Sequence, residues 1–424
     1  MARTKTIITL ASVGLVTVFL LNYASLITEN NPILVIVEPI DDKIAGIDDT
    51  SVEEPRDVNL RDTTEKTTEE SFDKHKITWE RDNPILKASG NADFISHYTT
   101  WIQTEKDYIE SEEKWKMQQW LWNYQMESKC NRLLQIAPRW GGLGADMWRV
   151  VTSMVSSFES NRTISLQRGS LSQYAHVSLC PKQTFDCFFN QFTICPSFVS
   201  KLNTSEDKYD IFRPDSPVIT KPTTKFGKTK RGLLWYYAQV LHFVWQPLPE
   251  VMEVVMDIRK KIKWQHPLIC LHIRHGDGYT ENKLHPIEGF INGITKLQKH
   301  FNKTKGQHVN RIFLATDDPE VIEVMKNSTS YDVIYNEEPR KNIRGSQLVE
   351  QYKHLGHLPT IQVIANMIMM SDCDGWVGTF RSNFAKLPFL LSYAKYGYVM
   401  PHHSVHDDKG WPGLSFDTRE LNWQ

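Results

Sequence analysis

The sequence predicts an α/β chain whose C-terminal half forms an open, parallel, Rossmann-like sheet, and three observations carry that expectation. Leu268 to Ile273 is a short apolar run with β-branched residues, the pattern of a strand covered on both faces. Strand and helix signals then alternate: Arg311–Ala315 and Gly375–Thr379 read as strands, and Gln347–Met370 contains a helix. The first run ends in His272, Arg274, His275, Asp277 and Glu281, and the C-terminal edge of parallel strands is where open α/β sheets hold ligands.

The elements before that strand follow in order. Ile7–Ile27 is apolar and of bilayer-spanning length, with Arg3 and Lys5 before it and Glu29, Glu38, Asp41 and Asp42 after it. This charge bias predicts a cytoplasmic tail at 1–6, a membrane signal anchor at 7–27 and a lumenal remainder. A cleaved signal peptide is the alternative, but Tyr23-Ala24-Ser25 is a poor cleavage site and the stretch is long for an h-region. Residues 28–100 read as a flexible stem, acidic and Thr-rich around Thr63–Glu70, too polar to bury a core. Residues 101–129 read as a helical stem, because Trp101, Tyr108, Trp115 and Trp122 recur at every seventh position and form one stripe. The d-like positions Thr104, Ser111, Gln118 and Gln125 are polar, so a two-stranded coiled coil is poorly specified. Docking onto the globular part is preferred, with homodimerisation through the stem as the alternative.

Residues 130–263 read as a first α/β domain: a strand at Leu133–Ile136, a glycine turn at Trp140–Gly144 and a helix at Ala145–Phe158. Lys221, Lys225, Lys228, Lys230 and Arg231 form a basic segment, either solvated surface or a help in holding an anion. Leu233–Trp245 has helical spacing and is ended by Pro247. Residues 264–424 read as a Rossmann-like domain of the nucleotide-binding kind.

A formal charge of −1 and a pI near 6.9 give no basic field of the kind that nucleic acids require, so no nucleic-acid partner is expected. Cys180, Cys187 and Cys195 crowd a short segment, which suits disulfides in an oxidising compartment. Their spacing matches no usual zinc pattern. Cys270, inside the apolar run, reads as a free core thiol. Sequons stand at Asn161, Asn203, Asn302 and Asn327.

A set of motifs stands in order along the chain: Gly142-Leu-Gly144, then Trp235-x-x-x-Gln239 ahead of Pro247-x-Pro249. His272-Ile-Arg274-His275-Gly-Asp277-Gly278, Glu281 and His285-Pro-Ile-Glu288 come next. Phe313-Leu-Ala-Thr-Asp317-Asp318-Pro319 and Gly378-Thr-Phe-Arg-Ser382-Asn383 complete the series. The ordered set resembles that of the α1,6-fucosyltransferases, the family shared by core-fucosylating Golgi enzymes and bacterial nodulation enzymes, which has Gly-Tyr-Gly at the first motif and its donor motif at the third. The sequence departs at His275 for a second Arg, Gly278 for a Lys, a loop one residue shorter before His285, and Asn366 for an Asp.

The resemblance implies a two-domain glycosyltransferase of GT-B-like type that transfers L-fucose from GDP-fucose, with inversion, to a glycan or glycoprotein hydroxyl, α1,6 to the N-glycan core GlcNAc in the family pattern. It implies Glu281 as base and Arg274 as the cation on the departing diphosphate, with His272, His275, Asp277, Gly142, Gly144, Asp317, Asp318, Ser382 and Asn383 around the donor. The bland alternatives are that Glu281 pairs with Lys283, that His272 is a core histidine, and that Asp317 and Asp318 cap the helix beginning at Pro319. No cofactor or metal is expected, since arginine takes the neutralising role; Asp372-Cys-Asp374 superficially matches a metal motif but reads as a polar turn. The anchor and the resemblance together predict a type II Golgi membrane protein with a lumenal catalytic domain. The SH3-like module of animal core fucosyltransferases is not expected in the residues after Ser382, which leaves other acceptors open. Another acceptor or linkage, or an inactive lectin-like scaffold, are the rival functions.

Overall fold

Two parallel sheets carry the chain, one from each predicted domain. Arg132–Ile136 (β1) is flanked by Thr163–Leu166 (β2) and Asp210–Phe212 (β3), in the order β2-β1-β3. The computed structural model describes residues 112–136, 142–197, 210–212, 232–275, 284–338 and 355–405, all within the unit Asp73–Gln424. The 7–27 anchor, the 28–100 stem, the basic segment 221–231 and the sequon at Asn203 lie outside the described residues. Among the described residues no helix is long and apolar enough to cross a membrane.

Parallel pairing needs a crossover, and Leu143–Glu159 (α2) supplies the one between β1 and β2. Ahead of them lies Glu112–Met126 (α1). Trp115 and Trp122 of the heptad stripe are buried in the core, so this helix docks as expected. The polar positions beside that stripe are buried too. Gln118 donates to the Gln239 carbonyl at 2.9 Å, and Gln125 Oε1 accepts the Ile164 N–H of β2 at 3.2 Å. Disulfides Cys130–Cys195 and Cys180–Cys187 tie the loops around this sheet, while Cys270 and Cys373 are buried free thiols.

The helices Gly232–Val244 (α3) and Pro249–Lys261 (α4) lead into the second sheet. Its strands are Leu268–Ile273 (β4), Arg311–Thr316 (β5), Asp332–Ile334 (β6), Gly375–Gly378 (β7) and His402–Ser404 (β8), in the order β6-β5-β4-β7-β8. Register runs from Leu268↔Arg311 to Ile273↔Thr316 on one side of β4 and from Ile269↔Gly375 to Leu271↔Val377 on the other. The connecting helices are Ile287–Lys305 (α5), Pro319–Ser328 (α6), Leu358–Met370 (α7) and Asn383–Tyr396 (α8). After β4 the chain adds strands on one side, then returns to build on the other. That reversal makes a crevice outside the carboxyl ends of β4 and β7.

β4 is buried along its whole length, and its side chains divide by alternation. Ile269, Leu271 and Ile273 pack with Phe290, Ile294 and Leu297 of α5. Leu268 and Cys270 face the larger core, which also holds the first sheet and its helices. His272 follows the second set by parity. α7 packs on α4, and α8 packs on α2 and α3, so helices of both halves share one layer.

Asp372 and Asp374 are consumed inside the fold. Asp372 accepts from Arg259, from Lys395 Nζ at 2.7 Å and from Tyr396 OH at 2.9 Å, all buried. Asp374 Oδ2 takes the Leu268 N–H at 2.9 Å and lies 2.7 Å from His266 Nδ1.

Candidate active site

Two helix N-termini meet at the crevice. α2 begins after Gly142, α8 after Ser382, and neither N-cap residue makes a side-chain capping bond. Among the described residues, the first two N–H groups of each helix have no side-chain cap and can serve water or a ligand. The two ends touch through backbone: a Cβ at Gly144 would stand 3.0 Å from the Phe384 nitrogen and 3.2 Å from Asn383 C. Among the described residues, nothing lies within 4 Å of the Cβ position at Gly142. Orphan N–H groups and aligned peptide dipoles make such a junction favourable to an anion.

Polar side chains with no bonding outlet border this junction. His272, 6% exposed, stacks on Phe384 with ring centroids 5.1 Å apart, and its Nδ1 has no hydrogen-bond partner among the described residues. Burial, and then the Arg274 charge, push its pKa down to about 3, so it is neutral at any working pH. Ser382 Oγ is also buried without a partner among the described residues. Buried polar atoms are normally satisfied, and a polar ligand in the crevice would be able to satisfy both of these. Arg274, half-buried, follows β4 directly. Asn383 Oδ1 lies 3.3 Å from Lys386 Nζ.

At the end of β5, Asp317 Oδ1 accepts the His275 N–H at 2.9 Å, holding the chain as it leaves β4. Asp318 caps α6: its Oδ1 accepts the Glu320 N–H at 2.9 Å, with Pro319 in the first turn. Capping thus accounts for Asp318, while Asp317 orders the site rather than standing free beside it. His275 Nε2 donates to the His285 carbonyl at 2.8 Å. Asp277, Gly278 and Glu281 lie outside the described residues. Asn366, in the family's Asp position, donates Nδ2 to Glu338 at 2.8 Å.

The structure brings together His272, Arg274, Gly142, Gly144, Ser382 and Asn383, from three strand ends and two helix starts. The sequence reading missed Phe384, which faces His272, and Lys386, a buried cation one turn into α8. A lone charge between Phe384-Ala385 and the apolar run Leu387–Leu391 was the signal for Lys386.

Residues 226–408 match the model of the family described as alpha-(1,6)-fucosyltransferase N- and catalytic domains. The alpha-(1,6)-fucosyltransferase of Drosophila melanogaster is 22% identical over 166 residues, 39% of this chain and 26% of that enzyme. The chain thus aligns with about a quarter of that relative's length. Among solved structures, the fucosyltransferase NodZ from Bradyrhizobium is 12% identical, with a TM-score of 0.39 over 62% of this chain and 94% of its own. POFUT1 in complex with GDP-fucose is 10% identical, with a TM-score of 0.38 over 65% of this chain and 98% of its own.

Proposed function

We propose, from the match of residues 226–408 to the alpha-(1,6)-fucosyltransferase model, that the chain transfers L-fucose from GDP-fucose to a glycan hydroxyl with inversion at the anomeric carbon. The observation that supports this most is the meeting of two side-chain-uncapped helix N-termini at the sheet's crevice, beside Arg274 and the orphan Ser382 Oγ. A diphosphate supplies the charge and the acceptor atoms that such a site lacks.

In the reaction, the acceptor oxygen bonds to fucose C1 as the bond from C1 to the β-phosphate oxygen breaks. The bonding pair leaves with GDP, and the acceptor proton passes to Glu281. Arg274 neutralises the departing diphosphate through its planar fork, aided by the N–H groups of α2 and α8. His272 is neutral and offers one nitrogen to the nucleotide or diphosphate. The acceptor we favour is the 6-hydroxyl of an N-glycan core GlcNAc, with the chain held in the Golgi membrane by residues 7–27 and its catalytic part lumenal.

The departures His275 and Gly278 favour one rival, a scaffold that binds the nucleotide sugar without turning it over. Incubating the full-length chain with GDP-fucose and a glycan panel, with products located by mass spectrometry, tests both. Transfer to one glycan class is expected. GDP binding without transfer or donor hydrolysis would favour the scaffold, and absence of GDP binding would end the donor reading.

A further inference from the structure

Lys386 is a cation where two forces oppose one. It closes the first turn of α8, its N–H donating to the Ser382 carbonyl at 3.0 Å, so it sits at the positive end of the helix dipole. It is also buried, at 5% exposure. Its ammonium lies 3.3 Å from Asn383 Oδ1 and 5.7 Å from the Trp148 ring centre, and no carboxylate pairs with it among the described residues. An amide oxygen and a π-face are weak recompense for lost hydration. Burial alone holds its pKa down at about 8.

The neighbouring cations are balanced differently. Lys395 and Arg259, equally buried, share Asp372. Lys386 instead stands between α8 and Trp148 of α2, one turn beyond the junction where Gly144 meets Phe384. Two helix N-termini, Arg274 and Lys386 therefore place positive charge in one region, and among the described residues Lys386 has no protein anion to offset it. The donor motif meanwhile has His275 and Gly278 at two positions that are basic in the pattern it resembles.

We propose that Lys386 is a diphosphate-contacting cation of the donor site, parked on Asn383 and Trp148 until a nucleoside diphosphate enters. This rests on the donor reading above. Lys386→Met keeps most of the side chain's length and removes the charge, and Lys386→Arg restores charge on a different head group.

Titration calorimetry on the full-length chain with GDP and with guanosine, alongside thermal unfolding without ligand, tests the proposal. Lys386→Met should weaken GDP binding by at least about tenfold, leave guanosine binding within about twofold, and unfold no lower than the native chain. Lys386→Arg should recover most of the GDP affinity. Native GDP affinity in Lys386→Met would overturn the proposal. So would a loss shared by GDP and guanosine with a lowered unfolding temperature, since that describes a packing role. A native chain that binds guanosine but not GDP, or neither, would fail at the donor reading itself, before any variant is compared.

Discussion

Gly144 and Phe384 bring two helix starts into backbone contact, with a Cβ position at 144 only 3.0 Å from the Phe384 nitrogen. All three nearest atoms there are backbone, so nothing flexible can yield. Gly144→Ala should therefore push α2 from α8, costing about 1–3 kcal/mol, the usual range for overpacking. Gly142→Ala is the matched control, because its Cβ meets nothing within 4 Å among the described residues and its φ of −71° suits any residue. Urea unfolding should place Gly142→Ala within about 0.5 kcal/mol of native. Equal stability of the two variants would show that the helix starts do not press on each other.

His272 should make the fold acid-sensitive. Its pKa is held at about 3 in the folded chain against an ordinary value of 6.5. Between those values the unfolded chain binds the extra proton, so stability is lost as pH falls through that window. His402, lowered to about 4 by burial, acts in the same direction. Replacing His272 with Phe keeps an aromatic against Phe384 and removes its part of the effect. From pH 7 to pH 5 the native chain should lose about 2 kcal/mol more than His272→Phe, read from urea midpoints. Parallel losses would mean that His272 titrates normally.

What could be read in the sequence follows from how local each signal is. β4 was legible because an apolar run ends abruptly in charge, and α6 because Asp318-Pro319 is a cap written in adjacent residues. The docking of α1 was legible from Trp115 and Trp122, but Gln118 and Gln125 read only as polar positions that specify a coiled coil poorly. Their partners, Gln239 and Ile164, lie far along the chain, and periodicity carries no information about them. The same limit hid Lys386 and the pairing of Cys130 with Cys195. The site residues were found through motif order, whereas the junction of α2 with α8 needed three-dimensional placement.

Asp372 carries a structural charge. It is shared by Arg259, Lys395 and the Tyr396 hydroxyl in a buried cluster. Asp372→Asn should leave two buried cations poorly compensated and cost about 3–5 kcal/mol, as breaking buried ion pairs does. If transfer is observed, it should survive EDTA, and manganese should not rescue the variant's stability. Loss of activity in EDTA, restored by manganese, would return Asp372 and Asp374 to the role of ligands.

The last prediction concerns Glu281. His275 Nε2 donates to the His285 carbonyl at 2.8 Å, and Asp317 fixes the His275 N–H at 2.9 Å. Residues 276–283, Glu281 among them, lie outside the described residues, and Glu281 is proposed as the base from its place in the motif between Arg274 and His285. A base placed to take the acceptor proton contributes about 10²–10⁴-fold. Gln is nearly isosteric with Glu but accepts no proton, so Glu281→Gln should bind GDP as the native chain does. Its kcat should fall by about 10²-fold or more, because the lost interaction matters chiefly in the transition state. Arg274→Lys should differ in kind, damaging GDP affinity as well as turnover, since an ammonium cannot reproduce the two-point fork. Calorimetry with GDP and transfer rates at saturating acceptor separate the two patterns. Native-rate transfer by Glu281→Gln would place the base on another residue and sink this mechanism.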